Sequence, residues 1–184
     1  MELIKELKQS KIIKSVFIAL IGTILLAISS KIKIPFYPVP MTMQTLVVLL
    51  LGIVLGWKLG LATVVLYLFE GIIGLPVFSG SPEKGIGIIY FTGPTMGYLI
   101  GFLFAVYFAG RFKFKENFFT NLFQLIFSVS FIYILGTLWL GALIGWEKPL
   151  FKLGVQPFLL AELLKILIIL FSLSKLKKLN QYLK

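Results

Sequence analysis

Six apolar runs, separated by short basic, glycine-rich or proline-rich segments, make up most of this sequence. Hydrophobic residues account for 59% of the 184 residues, and the mean hydropathy is +1.01. Soluble domains are about 45–50% apolar, and one soluble core cannot bury this excess. Lipid can solvate such runs when helices satisfy their backbone polar groups. The sequence therefore predicts an all-α membrane protein that forms a single domain over residues 1–184.

The runs predict six transmembrane helices, and the segments between them explain where these helices end. Residues 31–45 contain three prolines, so they cannot be helical throughout. Residues 70–94 are rich in glycine and proline yet apolar, which predicts a long re-entrant or capping loop buried in protein. The first run could also be the core of a signal peptide, but we favour a span because the rest of the chain is membrane protein. The predicted spans are 15–30, 41–56, 59–71, 94–110, 118–145 and 157–174.

The distribution of basic residues predicts the orientation. The net charge is +11, and an even number of spans puts both tails on one side. That side holds twelve of the 18 Lys and Arg residues, and the other side holds five. The positive-inside rule then predicts cytoplasmic termini and outward loops at 31–45, 70–94 and 146–157. In such a protein the charge reports topology, so we expect no nucleic-acid partner, and membrane lipid as the surroundings.

The residue types that are missing exclude several functions. The chain has no Cys, His or Asp. This excludes Ser-His-Asp and Cys-His catalysis and metal sites with thiolate or imidazole ligands. It also has no phosphate-binding loop of the type that ATPases use. We therefore expect no enzyme activity, no catalytic or metal-binding residue and no cofactor, and any ATPase must be a separate chain.

Glu162 and Lys165 are the two formal charges inside the last apolar run. Their spacing puts both on one helix face, and Pro157 begins that helix at the outer side. A rise of about 1.5 Å per residue places Glu162 roughly 7 Å and Lys165 roughly 12 Å below Pro157. A charge at such depth costs at least about 2.5–3.5 kcal/mol, which favours a functional role over a structural ion pair. We expect an acceptor for N–H donors near the mouth and a deeper cation for a carboxylate.

Polar residues at the outer end of the second run extend this candidate site. Thr42, Gln44 and Thr45 lie at its mouth, where Thr42 is either a ligand contact or a helix cap. Tyr90 precedes the fourth run and either stacks on a ligand or belongs to the aromatic belt at the membrane interface.

The long glycine-rich loop supplies further candidate ligand contacts. Phe78 offers an apolar face, and Ser79 and Ser81 offer hydroxyl groups, unless this is a plain surface loop. Gly93 begins a series of glycines four residues apart, which gives the fourth span one thin face for close approach.

Ala19, Thr23 and Ala27 form a stripe of small residues on the first span, called here the small-residue stripe. Such a stripe lets another helix approach closely. That helix belongs either to this chain or to a partner subunit that docks on the stripe.

The chain contains four motifs in series, PVPMTMQTLVVLLLG, GLPVFSG, GPTMGYLIGF and LLAELLK. Their order and spacing resemble the BioY family, the biotin-specific membrane subunits (S-components) of energy-coupling-factor transporters. The resemblance covers nearly the whole chain. It implies six transmembrane helices and a biotin site near the outer face, under the outer loops. It also implies ATP-driven uptake of biotin across a prokaryotic cell membrane, with a transmembrane coupling protein and two ATPase subunits.

The resemblance also implies roles for individual residues. Glu162 and Lys165 match an acidic residue and a lysine that are ligand contacts in the family, where Asp is commoner than Glu. The small-residue stripe resembles the surface that docks on the coupling protein, with Thr23 where Ala is usual. Biotin is then the transported substrate and not a cofactor. The alternative is a self-sufficient vitamin carrier or channel, for which Glu162, Lys165 and Glu70 are the available ionisable groups.

Overall fold

Helices form most of the structure, a computed structural model that describes residues 2–35, 37–83 and 85–183. The helices are α1 (Glu2–Lys31), α2 (Gln44–Ile72), α3 (Met96–Arg111), α4 (Phe118–Ile144), α5 (Leu150–Gly154) and α6 (Leu159–Leu183). Short 3₁₀ helices cover Gly87–Thr92 and Gln156–Phe158. Strands β1 (Lys33–Ile34) and β2 (Met41–Thr42) pair as an antiparallel hairpin. This hairpin is the one departure from the predicted all-helical fold among the described residues, and it occupies the proline-rich segment.

The chain reverses its direction inside α2, at Gly56. This residue has φ 75° and ψ 169°, a conformation that glycine alone adopts without strain. Gln44 Nε2 lies 2.7 Å from Tyr67 Oη, whereas 23 residues of straight helix would separate them by roughly 35 Å. A Cβ built on Gly60 would lie 3.1 Å from the carbonyl oxygen of Leu51. Residues 44–55 and 57–72 are therefore antiparallel neighbours, which confirms the predicted break between the second and third runs.

Two glycines let α3 pack closely against α4. Gly97 faces the Leu135 carbonyl and the Trp139 Cβ, and a Cβ on Gly101 would lie 2.5 Å from the Ile132 Cα. No larger residue fits this approach without moving the helices apart. The predicted thin face on the fourth run is thus confirmed for Gly97 and Gly101.

The exterior of the bundle is apolar. Large side chains such as Phe17, Phe123 and Phe171 point outward, with exposed fractions of 64%, 69% and 78%. Four helical stretches are long and apolar enough to cross a membrane, and α3 is a shorter apolar helix. Soluble monomers rarely expose apolar surface on this scale, so the protein is a multi-pass membrane protein. The four stretches are Lys11–Lys31, Gln44–Ile72, Phe118–Ile144 and Leu150–Tyr182.

The loop after α2 turns back into the bundle through residues 77–81, called here the plug. Phe78 is 1% exposed and packs against the rings of Tyr67 and Tyr90. Lys31 Nζ at the end of α1 donates to the carbonyls of Phe78 and Ser81 at 2.9 and 3.0 Å. Irregular backbone is stable in an apolar interior only when its polar groups are paired in this way. The predicted irregular segment is therefore present, and its centre is buried in protein.

Candidate functional site

A cavity of about 60 Å³ lies where the β1–β2 hairpin, α2, α3, α4 and α6 meet. Its volume corresponds to roughly four water molecules at about 15 Å³ each. A few convergent polar groups inside an apolar wall are typical of small-molecule binding sites. The polar lining is Thr42, Gln44, Thr45, Glu162 and Lys165, and the aromatic and aliphatic lining includes Val39, Tyr90, Tyr98, Leu99, Phe102, Ile132, Tyr133 and Phe158.

Glu162 and Lys165 meet at this cavity as a buried ion pair. Glu162 Oε2 lies 3.4 Å from Lys165 Nζ, and the two residues are 4% and 5% exposed. In this structure the two charged groups therefore lie together and not as separate ends of a site, and the order in which a ligand would lie across them stays a prediction. The four-carbon stem of Lys165 lets the ammonium extend along α6 toward the carboxylate, because polar partners lie there.

Hydrogen bonds from α2, the hairpin and α4 hold this pair. Lys165 Nζ donates to the Thr42 carbonyl at 2.7 Å and to Thr45 Oγ1 at 2.8 Å. Thr45 Oγ1 in turn donates to Glu162 Oε2 at 3.0 Å, and Tyr133 Oη donates to the same oxygen at 2.9 Å. With its contact to Glu162, the ammonium has three acceptors for its three protons. The cation is therefore fully satisfied by the protein.

The second carboxylate oxygen of Glu162 is different. Oε1 is buried and has no hydrogen-bond partner among the described residues. A buried unpaired acceptor on a charged group costs more than about 1–3 kcal/mol. Glu162 thus carries one strong unused acceptor, which fits a ligand that carries an N–H or O–H donor.

Three other predicted contacts also line the cavity. Gln44 Nε2 donates to Tyr67 Oη, and its Oε1 accepts from Thr42 Oγ1 at 3.2 Å. α2 begins at Gln44, whose backbone N–H donates to Thr42 Oγ1 at 3.4 Å, so Thr42 both pairs the first amide of this helix and lines the cavity. Tyr90 Oη donates to the Ser79 carbonyl at 2.7 Å. Burial raises the pKa of Tyr90 above its ordinary value, so the hydroxyl stays a donor at neutral pH.

Four predicted contacts lie outside the cavity lining: Phe78, Ser79, Ser81 and Gly93. The Phe78 ring stacks on Tyr90, with centroids 4.8 Å apart, so the plug supports the cavity from behind. Gly93 offers its carbonyl to Trp139 Nε1 at 2.9 Å. Ser79 Oγ is buried and has no partner among the described residues. A ligand contact by any of these four residues stays a prediction.

Tyr133 is the functional candidate that sequence reasoning missed. It lies 29 residues before Glu162 and contacts it only through the packing of α4 on α6. A tyrosine inside a long apolar run was the available signal, since a buried hydroxyl needs a partner. Phe158 and the aliphatic wall residues have no comparable signal, because apolar residues are common throughout the chain.

The small-residue stripe faces the rest of this chain. Ala19 and Thr23 are 7% and 2% exposed, and Ala27 packs against the core. Directly before Thr23 in the chain, a Cβ on Gly22 would lie 2.5 Å from Thr63 Cγ2 of α2. These contacts favour internal packing, and docking of a partner on the stripe stays a prediction.

Comparisons with known proteins agree on one family. A sequence model described as "BioY family" matches residues 4–182. A probable biotin transporter of Pyrococcus horikoshii is 34% identical, with alignment over 83% of this chain and 89% of the relative. A biotin transporter of Lactococcus lactis subsp. cremoris is 34% identical over 95% of this chain and 96% of its own length.

A solved structure has the same fold. It is described as the crystal structure of the S-component for biotin from an ECF-type ABC transporter. The two chains superpose with a TM-score of 0.76 and 27% identity, over 92% of this chain and 93% of the other.

Proposed function

Because this chain belongs to the BioY family, we propose that it is the substrate-binding subunit of a biotin importer. As a member of this family it is a transport protein and not an enzyme. Biotin is the proposed ligand because the relatives above are described as biotin transporters and the solved neighbour as an S-component for biotin. The cavity chemistry supports the same ligand independently.

The unpaired Oε1 of Glu162 is the observation that carries this proposal. Biotin has a ureido ring with two N–H donors, an apolar body and a carboxylate on a flexible chain. One ureido N–H would donate to Oε1 and satisfy a buried acceptor that the protein leaves unpaired. Tyr98 and Phe158, which line the cavity, would pack against the apolar body. A site with an unused acceptor and aromatic walls matches this ligand better than it matches an inorganic ion.

Binding requires the hairpin to move. The cavity is about 60 Å³, well below the roughly 300–1,000 Å³ of ligand pockets. The Thr42 carbonyl of β2 also accepts a hydrogen bond from Lys165 Nζ. Displacing β2 would enlarge the cavity and free one Lys165 N–H to donate to an acceptor on the ligand. We infer that the hairpin is the lid of the site, and that the hydrogen bond from Lys165 to the Thr42 carbonyl breaks when this lid opens.

We propose six membrane crossings, with both termini in the cytoplasm of a prokaryotic cell, and one integral-membrane domain. The reversal at Gly56 divides the Gln44–Ile72 stretch into two apolar halves, and α3 adds a further apolar helix. These halves are shorter than the roughly 20 residues of a full span. The hairpin and the plug would fill the rest of the membrane thickness on the outer side. Because the cavity lies next to the hairpin, biotin would reach it from outside.

The energy for uptake would come from other chains. A transmembrane coupling protein and two ATPase subunits fit the absence of a phosphate-binding loop in this sequence. A self-sufficient carrier is the alternative, and no observation in the structure favours it. Uptake of labelled biotin by proteoliposomes that contain only this chain would overturn the need for such partners.

Equilibrium binding of labelled biotin to the purified chain tests the ligand site. We expect Glu162→Gln and Lys165→Met each to weaken binding by about 10- to 100-fold, as expected for charge-assisted hydrogen bonds. Lys148→Met is the matched control, because it removes an exposed lysine that does not line the cavity, and we expect unchanged affinity.

A ligand variant tests the pairing itself. Biotin methylated on one ureido nitrogen lacks one donor, so its affinity for the wild type should drop while Glu162→Gln discriminates less between the two ligands. Equal discrimination by both proteins would contradict the contact with Oε1. No biotin binding by a folded wild type would contradict the proposed substrate.

A further inference from the structure

A basic groove opens at the end of the bundle opposite the hairpin. It has a volume of about 420 Å³ and lies between the Gly56 reversal, the end of α3 and the last turns of α6. Its lining includes three cationic side chains, Arg111, Lys113 and Lys177, and no acidic residue among those described. Three positive charges around one concave surface favour a bound anion.

Contacts within the chain position two of these cations, Arg111 and Lys177. The Arg111 guanidinium lies over the Trp57 ring at 5.7 Å. Lys177 is half-buried, and among the described residues its Nζ donates one hydrogen bond, to the Lys115 carbonyl at 3.2 Å, which leaves two N–H donors for a ligand. Asn180 Nδ2 donates to the carbonyls of Ile53 and Val54 at 3.1 and 2.7 Å and so caps the helix that ends at the reversal.

The surroundings of the groove identify the kind of anion. Trp57 is an indole at the end of an apolar helix, the position at which tryptophan marks a membrane interface. Apolar side chains adjoin the cations, with Phe112 and Phe114 in the groove and Leu179 of α6 46% exposed. An anion with an apolar tail can bind the cationic side chains through its charge and pack its tail against the adjoining apolar side chains.

We propose that this groove binds the phosphate of an anionic phospholipid, with the acyl chains lying along the apolar faces of α3 and α6. Arg111 and Lys177 would bind the phosphate oxygens, and Lys113 would add to the field around the headgroup. The site is separate from the biotin cavity, and it does not depend on which ligand that cavity takes.

The test is native mass spectrometry of the purified full chain titrated with dioctanoyl phosphatidylglycerol. Dioctanoyl phosphatidylcholine has the same tails and no net charge, and we expect at least about tenfold weaker binding for it. The triple variant R111A/K113A/K177A should lose the preference for phosphatidylglycerol. The double variant K175A/K178A removes exposed lysines from the same helix outside the groove, and it should keep that preference.

Two controls separate loss of the lipid site from loss of folding: the variant Arg111→Lys and a measurement of biotin binding. Arg111→Lys retains the charge and should bind phosphatidylglycerol nearly as well as wild type, which separates loss of the site from loss of folding. Biotin binding should be unchanged in every variant. Equal losses in the triple and double variants would overturn the proposal, because they would show general attraction to basic surface. Competition by inorganic phosphate as effective as the lipid would also overturn it.

Discussion

Thr45 joins the two charges of the interior cavity. Its hydroxyl donates to Glu162 Oε2 and accepts from Lys165 Nζ, so one side chain satisfies part of both buried groups. The sequence places Thr45 near the mouth of the second run, but 117 residues separate it from Glu162. Residue type and depth predict that Glu162 and Lys165 need partners, and only the packing of α2 on α6 identifies them.

We expect Thr45→Val to destabilise the protein by about 1–3 kcal/mol, because it leaves two buried charged groups each short of one hydrogen bond. The measurement is the midpoint of denaturant unfolding in detergent. Thr42→Val is the matched control, since Thr42 contacts Lys165 through its backbone carbonyl, and it should cost less. Equal losses in the two variants would contradict the assigned role of the Thr45 hydroxyl.

At the scale of elements, the end of α1 fastens the plug. Lys31 Nζ donates to two plug carbonyls and contacts Ser81 Oγ at 3.3 Å, while Ser30 Oγ donates to the Val77 carbonyl at 2.8 Å. Proline and glycine content predicts that this segment is irregular, and its apolar centre predicts burial. Its position behind Tyr90, outside the cavity lining, follows from these contacts with α1, which no local pattern shows.

Lys31→Met should loosen the plug without unfolding the helices, because it removes the donors that bind two plug carbonyls. Hydrogen exchange at the Ser81 amide, which bonds to the Phe78 carbonyl at 3.2 Å, reports this opening. We expect exchange to rise by about 10- to 100-fold, which corresponds to about 1.4–2.8 kcal/mol of lost hydrogen bonds. Lys33→Met is the control, and the same acceleration there would show that the effect is not specific to Lys31.

The whole molecule is inverted relative to a soluble domain. The two buried charges among the described residues lie in one interior cavity, whereas large aromatic and aliphatic side chains cover the exterior. Composition alone predicts this arrangement, because the apolar excess has no other favourable solvent than lipid. Length and composition identify four long apolar stretches. Gly56 divides one of them into two antiparallel halves, and α3 is a further apolar helix, so the number of membrane crossings can exceed four.

An arginine on the exterior tests this arrangement. Leu164 lies near the middle of the predicted span 157–174 and is 55% exposed, so Leu164→Arg should cost about 2.5–3.5 kcal/mol on insertion and lower the membrane-integrated fraction. Tyr182→Arg, near the end of α6 with 81% exposure, should insert normally. Carbonate extraction of expressed protein measures both. Full integration of Leu164→Arg would show that this face does not contact lipid.

Hydropathy and residue spacing are sufficient to predict that lipid surrounds the protein and that the helices break at the prolines and at Gly56. They also single out Glu162 and Lys165 as the two charges inside an apolar run. These are local properties, since each depends on a run of neighbouring residues or on the cost of one buried charge. Packing alone establishes that the two charges meet at 3.4 Å, that Thr45 and Tyr133 complete their network, and that Phe78, Ser79 and Ser81 lie behind the cavity wall. The reason is that these contacts join helices far apart in the chain, and no repeat in the sequence records which helix faces which.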